Sequence, residues 1–424
     1  MQLVKLYKVF KESKGISIDT RTISPGQIYF ALQGENVDGN VYAQQALDKG
    51  AMLAVVDKAT LPTNPKFFKV EDSLTCLQRL AKYHRSTMSH PIIGVTGSNG
   101  KTTTKELISA VLSKRYRVSM TQGNFNNHLG VPLTLLEISP ETEISIVEMG
   151  ANHIGEIEDL CYIANPDLGL ITNIGQAHLE GFGSFEGVVK AKTELYKHLD
   201  KNQGTIFYNQ KDALLVSKLP SGTNNIPYLW EMQFLQSGLT LSYEYEGEKY
   251  STHFYGRYNQ FNIIAAFTIG RYFEVPIKDI HSAIGAYLPK MNRSQIKHYG
   301  KTCFIMDAYN ANPSSMKLSL ATFMEIESEL PKVLVLGDMK ELGASELDLH
   351  QEIVDLIKND NWEKVVLVGA LFYQTKTPPE FLKYEDVSSL IKEPAVIKKI
   401  LDEKLILLKA SRSTQLEQIE TLYN

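Results

Sequence analysis

Short apolar runs alternate with helix-length stretches of mixed polarity along most of the chain. Ile92-Ile-Gly-Val95, Ile144-Ser-Ile-Val147 and Leu168-Gly-Leu-Ile171 each run into a polar or glycine-rich loop. Brief apolar runs spaced by helical patterns predict buried parallel strands covered by helices, with functional loops at the strand carboxyl ends. A second series, Cys303-Phe-Ile-Met306, Val333-Leu-Val-Leu336, Val365-Val-Leu-Val368 and Leu405-Ile-Leu-Leu408, predicts another α/β unit of dinucleotide-binding topology, without a Gly-x-Gly-x-x-Gly fingerprint. Ahead of both lie the pattern Gln27-Ile-Tyr-Phe-Ala-Leu32 after a Pro25-Gly26 turn, a helix-like Tyr42-to-Lys49 segment and the strand candidate Met52-Leu-Ala-Val-Val56. A helix around Ser73 to Ser86 then leads into the polar connector Ser86-Thr-Met-Ser-His-Pro91. Leu239 to Phe254, rich in tyrosine and threonine, predicts a small antiparallel excursion.

At 424 residues, a prior of roughly 150 residues per domain allows two or three domains; the change in texture along the chain selects three. The expected boundaries are 1–88, 89–289 and 290–424. A net charge of -4, with no basic run, argues against a nucleic-acid binder or a protein drawn to anionic membranes. No apolar stretch approaches the roughly eighteen residues that span a bilayer, and the lysine-interrupted start has no secretory core. Cys76, Cys161 and Cys303 are odd in number and far apart, which suggests neither a disulfide framework nor a zinc site. The expectation is a cytoplasmic protein.

The strongest chemical signal is Thr96-Gly-Ser-Asn-Gly-Lys-Thr-Thr103, between a strand and a helix. In such a loop backbone N–H groups and a helix N-terminus cradle a polyphosphate, completed by a lysine and a hydroxyl-bound Mg²⁺. Thr96, Gly97, Ser98, Asn99, Gly100, Lys101, Thr102 and Thr103 are the candidate cradle, Lys101 holding the β- and γ-phosphates and Thr102 the metal. No aspartate has glycine three residues later and no asparagine is followed by lysine, which argues against guanine specificity. The next strand ends in Glu148 rather than the usual aspartate, placed to hold Mg²⁺ near the phosphates. His178 lies in a loop at the same sheet edge. Lys192 is not nominated by physics alone: helical lysines are usually solvated, and an ammonium beside Mg²⁺ is repelled.

Taken in order, Thr96-Gly-Ser-Asn-Gly-Lys-Thr102, Glu148-Met-Gly-Ala-Asn152, Asn173-Ile-Gly-Gln-Ala-His178-Leu179 and Ala191-Lys192-Thr-Glu-Leu-Tyr196 resemble the Mur ligase family, ATP-dependent amide ligases of peptidoglycan precursor synthesis. The resemblance implies an α/β protein of three domains: a small N-terminal α/β domain, a central mainly parallel sheet of P-loop ATPase type and a C-terminal Rossmann-like α/β domain. It implies that Lys192 is carbamylated by CO₂, turning a cation into an anionic oxygen ligand that joins His178 at a second Mg²⁺, while Thr102 and Glu148 serve the first. Gly256-Arg-Tyr-Asn-Gln-Phe-Asn-Ile-Ile-Ala-Ala266 resembles the family helix whose second asparagine, here Asn262, faces adenine. Arg293 resembles the interdomain arginine that reaches the γ-phosphate, and Asp307 the carboxylate that holds the ribose.

Asp19-Thr-Arg21 and Gly34-Glu-Asn-Val-Asp-Gly39 look like the UDP-sugar domain of the later-acting members, with Thr20 and Arg21 as candidate contacts. Asp307-Ala-Tyr-Asn-Ala-Asn-Pro-Ser-Ser315, Leu336-Gly-Asp-Met-Lys-Glu-Leu-Gly343 and Leu408-Lys-Ala-Ser-Arg-Ser413 resemble the branch that adds D-alanyl-D-alanine to UDP-N-acetylmuramoyl-tripeptide. Tyr309, Asn310, Ser411 and Arg412 are the substrate contacts this implies. The expected partners are those two substrates, with no nucleic acid, no membrane insertion and a monomeric chain. A diaminopimelate- or lysine-adding ligase of the same family and a nucleotide-gated binding protein without ligase chemistry remain the alternatives.

Overall fold

A computed structural model describes residues 2–423. Three parallel or mainly parallel sheets follow one another along the chain. The first is wholly parallel, with strands Ile16–Ser17, Ile28–Phe30, Leu53–Val56 and Phe67–Lys69 in that order. The second is also parallel, ordered Asn224–Pro227, Thr205–Tyr208, Leu168–Ile171, Ile92–Thr96, Ile144–Glu148 and Val118–Met120. The third is ordered Gln295–Tyr299, Thr302–Asp307, Leu405–Lys409, Lys332–Gly337, Lys364–Val368 and Leu382–Tyr384, antiparallel only at its first pair.

The central strands read as unbroken apolar runs because both faces are covered: every residue of Ile92–Thr96, Ile144–Glu148 and Leu168–Ile171 is buried. Register then fixes the site. Val95 pairs with both Glu148 and Leu170, so the phosphate loop, Glu148 and the loop leading to His178 leave the sheet at one edge. The antiparallel excursion is a three-stranded sheet, Gln233–Ser237, Thr240–Tyr245 and Glu248–Tyr255. It begins earlier than the tyrosine-rich pattern indicates.

Helix starts follow local chemistry. Asp72 accepts the Thr75 N–H at 2.6 Å to open Ser73–Ser86, and Asn312 with Ser315 forms a reciprocal cap on Pro313–Glu325. Packing between units is uneven. Leu6, Phe10, Leu77 and Leu80 share one apolar core with Val131, Leu135 and Leu160 of the central unit. Arg85 reinforces that junction by donating to Asp167 at 2.7 Å and to Ala164 O at 3.1 Å. The C-terminal unit keeps its own cores and receives Tyr255, whose hydroxyl donates to Ser319 O at 3.0 Å. No described helix is long and apolar enough to cross a membrane.

Candidate active site

The phosphate loop is bent by glycines at positive φ, Gly97 at +142° and Gly100 at +78°. A Cβ at Gly97 would overlap Thr172 Oγ1, and one at Gly100 would stand 2.8 Å from Asn262 Oδ1. The neighbouring loop clamps this bend: Thr172 Oγ1 donates to Asn99 O at 2.6 Å, and the Ser98 and Asn99 N–H groups donate to Asn173 O at 2.9 Å and Asn173 Oδ1 at 3.1 Å. Lys101 Nζ lies back over the loop, donating to Gly97 O at 2.7 Å and Ser98 O at 3.3 Å. Desolvation holds this lysine below its ordinary pKa, opposed by Glu148 and abetted by Arg293.

Glu148 is 1% exposed. Its Oε1 accepts from Asn126 Nδ2 at 2.7 Å and Thr102 Oγ1 at 3.2 Å, while Oε2 has no hydrogen-bond donor. Oε2 faces the Lys105 ammonium at 3.5 Å; a buried carboxylate whose other oxygen meets a threonine hydroxyl is a donor set suited to a hard divalent cation. His178 heads the short helix Leu179–Phe182 at φ +53°, and its Nδ1 pairs with Glu341 of the C-terminal unit. Lys192 is 1% exposed, with Nζ donating to Ala151 O at 3.3 Å. Desolvation, then the charge of Lys101, drives its pKa well below the ordinary lysine range. Among the described residues no hydrogen bond or ion pair joins His178 or Lys192 to Thr102 or Glu148.

Asn262 turns its amide partly inward, accepting from Thr104 Oγ1 at 2.9 Å and donating to Asn259 Oδ1 at 2.8 Å. One N–H and one lone pair remain for a ligand. Across the cleft, Arg293 stacks 3.5 Å from the Tyr309 ring centre, and both Arg293 Nε and Tyr309 OH are buried without partners. Asp307 accepts from Lys409 Nζ at 2.8 Å and from the Ser294 N–H at 3.3 Å.

One cavity of about 1400 Å³ connects these groups. That exceeds the ~300–1,000 Å³ usual for a single small ligand, leaving room for several substrates. Its wall includes Ser98, Asn99, Gly100, Lys101, Thr102, Thr103, Glu148, His178, Asn262, Arg293, Asp307, Tyr309 and Asn310. Thr96, Gly97 and Lys192 stand behind that wall. Thr20 and Arg21 are not brought to it: Thr20 donates to Gln45 Oε1 at 3.2 Å, and the exposed Arg21 is held by Asp19 at 2.6 Å. Ser411 is also off the wall, its N–H donating to Asp338 O at 3.1 Å, and the Arg412 guanidinium lies 5.5 Å from the centre of the Tyr309 ring.

The N-terminal unit instead presents Thr75, Gln78, Arg79 and Lys82 of helix Ser73–Ser86. Sequence reasoning missed these, together with Asn126, Lys105, Glu341 and Lys409. The run Gly123-Asn-Phe-Asn-Asn127, a polar loop between strand and helix, is the signal that could have found Asn126.

Family models match three successive segments: "Mur ligase family, catalytic domain" over residues 12–85, "Mur ligase middle domain" over 95–270 and "Mur ligase, glutamate ligase domain" over 292–412. The chain is 36% identical to the UDP-N-acetylmuramoyl-tripeptide--D-alanyl-D-alanine ligase of Bacillus subtilis, covering 96% of this chain and 92% of that protein. Its fold is similar to solved MurF from Acinetobacter baumannii, with TM-score 0.85 and 27% identity over 99% of this chain and 97% of that one. MurF ligase from Thermotoga maritima in complex with ADP gives TM-score 0.84 and 25% identity, over 98% and 97%. With matches across all three units and a phosphate loop facing Glu148 at one sheet edge, the chain belongs to the Mur ligase family.

Proposed function

We propose that this protein uses ATP to join D-alanyl-D-alanine to UDP-N-acetylmuramoyl-tripeptide, yielding UDP-N-acetylmuramoyl-pentapeptide, ADP and phosphate in the cytoplasm. The observation that carries this reading is the single cavity onto which the phosphate loop, Glu148, Arg293, Asp307 and Tyr309 open, in a chain 36% identical to a ligase of that specificity. The resemblance of Asp307 to Ser315 and Leu336 to Gly343 to the dipeptide-adding branch weighs against a diaminopimelate- or lysine-adding reaction.

Residues 1–88 bind the UDP-sugar, through the face of helix Ser73–Ser86 that lines the cavity rather than Thr20 and Arg21; 89–289 bind ATP; 290–424 bind the dipeptide, with Tyr309 and Asn310 on the cavity wall as contacts and Ser411 and Arg412 off it. Lys101 and the loop N–H groups take the β- and γ-phosphates, Asn262 the adenine edge, Asp307 the ribose and Arg293 the γ-phosphate. Thr102 and Glu148 would hold one Mg²⁺, and His178 with a carbamylated Lys192 a second; bound there, the ions would supply positive charge against the phosphates. Burial of Lys192 supports its modification, because the neutral amine that desolvation favours is the form that attacks CO₂, losing a proton as the N–C bond forms.

The terminal carboxylate of the tripeptide attacks the γ-phosphorus, and the bridging oxygen leaves with ADP. The dipeptide amine then attacks the acyl-phosphate carbon, loses a proton and expels phosphate. Since acyl-phosphates hydrolyse, the cleft must exclude water during both steps. The test is product mass with ATP, Mg²⁺ and UDP-muramoyl-tripeptide while only the amine varies. Pentapeptide forming with D-alanyl-D-alanine alone supports the reading. Ligation of a free diamino acid to the dipeptide precursor overturns it.

A further inference from the structure

Lys105 lies four residues beyond Lys101 on helix Lys101–Leu112 and is completely buried. Its Nζ donates to Thr121 O at 2.7 Å and Gly123 O at 3.0 Å, and stands 3.5 Å from Oε2 of Glu148. Apolar side chains of similar volume replace buried ion pairs without loss of stability in many proteins, so stability alone gives little reason for an ammonium here. Its position gives another. The carboxylate of Glu148 is held on its Oε1 side by Asn126 and Thr102, and its backbone N–H donates to Thr121 Oγ1 at 3.0 Å. Lys105 faces the opposite oxygen at ion-pair distance, without a hydrogen bond to it. It also grips the two carbonyls that begin the loop carrying Asn126, and so fixes both the carboxylate and the amide that orients it.

We propose that Lys105 is a positioning residue for the nucleotide-linked metal, locking Glu148 and the loop bearing Asn126 in the orientation that presents the carboxylate to a divalent cation at Thr102. This rests on the reading of Glu148 as a cation ligand. Lys105 is absent from the cavity wall, so it acts through Glu148 rather than on substrate.

The experiment measures Mn²⁺ binding to the full-length protein with ADP by electron paramagnetic resonance, alongside thermal unfolding and steady-state kinetics. Groups that orient metal ligands typically change affinity by about 10- to 100-fold, and Lys105→Met should weaken Mn²⁺ by that factor. The kcat should fall while KM for the UDP-linked substrate stays near wild type, and Lys105→Arg should recover part of the Mn²⁺ affinity. In a Glu148→Gln background, adding Lys105→Met should change Mn²⁺ affinity no further. Lys105→Gln, which can still donate to the two carbonyls, serves if Lys105→Met does not fold. Should Glu148→Gln keep wild-type Mn²⁺ affinity, the cation-ligand reading itself fails. Should Glu148→Gln lose affinity while the Lys105 variants lower only the unfolding temperature, the ion pair is structural and the proposal is overturned.

Discussion

Two lysines near the phosphate loop differ in what their surroundings ask of them. Lys101 reaches the loop carbonyls and lines the cavity, so Lys101→Ala should abolish phosphate release while leaving the fold intact by circular dichroism. Lys192 is sealed behind the wall. Lys192→Ala should nearly abolish turnover, with partial recovery on adding short carboxylates; near-normal turnover would remove the second-metal assignment. The first of these residues is legible in the sequence because a glycine-lysine-threonine run after an apolar strand has few other uses. Lys105 and Lys409 are not legible, since a helical or strand-end lysine ordinarily reads as solvated surface. Their burial depends on partners far along the chain: Thr121 and Gly123 for one, Asp307 for the other. His281 belongs with them. It is 3% exposed, hydrogen-bonded to the Tyr243 hydroxyl at 2.8 Å, and burial depresses its pKa from 6.5, with Glu248 and Glu246 opposing. The unfolded chain therefore takes up a proton near pH 6.5 that the folded protein resists, and stability is lost as pH falls below that value. His281→Phe should lower stability at pH 7 yet flatten its decline toward pH 5, as read by urea unfolding at both pH values.

The phosphate loop works as a unit because glycine permits its two positive-φ turns and the loop after strand Leu168–Ile171 clamps it from the side. Gly97→Ala sets a methyl against Thr172 Oγ1 and strains the backbone at φ +142°. The predicted result is loss of ADP binding by calorimetry, with the unfolding temperature shifted by only a few degrees because the strand and helix remain packed. At the other side of the cleft, Asn312→Ala removes both the cap on Pro313–Glu325 and a 2.8 Å bond to Asn99 Oδ1. Loss of such a cap costs about 1 kcal/mol, measurable by urea unfolding. The elements themselves are largely legible. Helix Ser73–Ser86 and the buried central strands match their apolar patterns. The edge strands Asn224–Pro227 and Leu382–Tyr384 carry no such pattern, because one side of each lacks a strand neighbour and little of either is buried.

Across the whole molecule, the N-terminal and central units share a large apolar core, whereas the C-terminal unit meets the central one through a few apolar side chains, Tyr255, Tyr258 and Leu179, and through polar contacts beside the phosphate loop. Asn312 donates to Asn99, the Gln176 N–H donates to Ser314 Oγ at 3.1 Å, and Glu341 pairs with His178. Contacts of that kind exchange for water at little net cost, so this junction should separate more readily than the N-terminal one. Leu77→Ala should destabilise by about 2–5 kcal/mol, raising hydrogen exchange in the N-terminal and central units together and leaving the C-terminal peptides unchanged. This arrangement is not legible in the sequence, where an apolar residue does not reveal which unit's core it will enter. The claim on which the rest depends is that ATP activates the tripeptide carboxylate. Its most direct test is turnover of UDP-muramoyl-tripeptide labelled with oxygen-18 in its terminal carboxylate, with D-alanyl-D-alanine as acceptor and the released phosphate read by mass spectrometry. One oxygen-18 atom should be carried into each phosphate; unlabelled phosphate alongside authentic pentapeptide would rule out activation of the carboxylate by ATP.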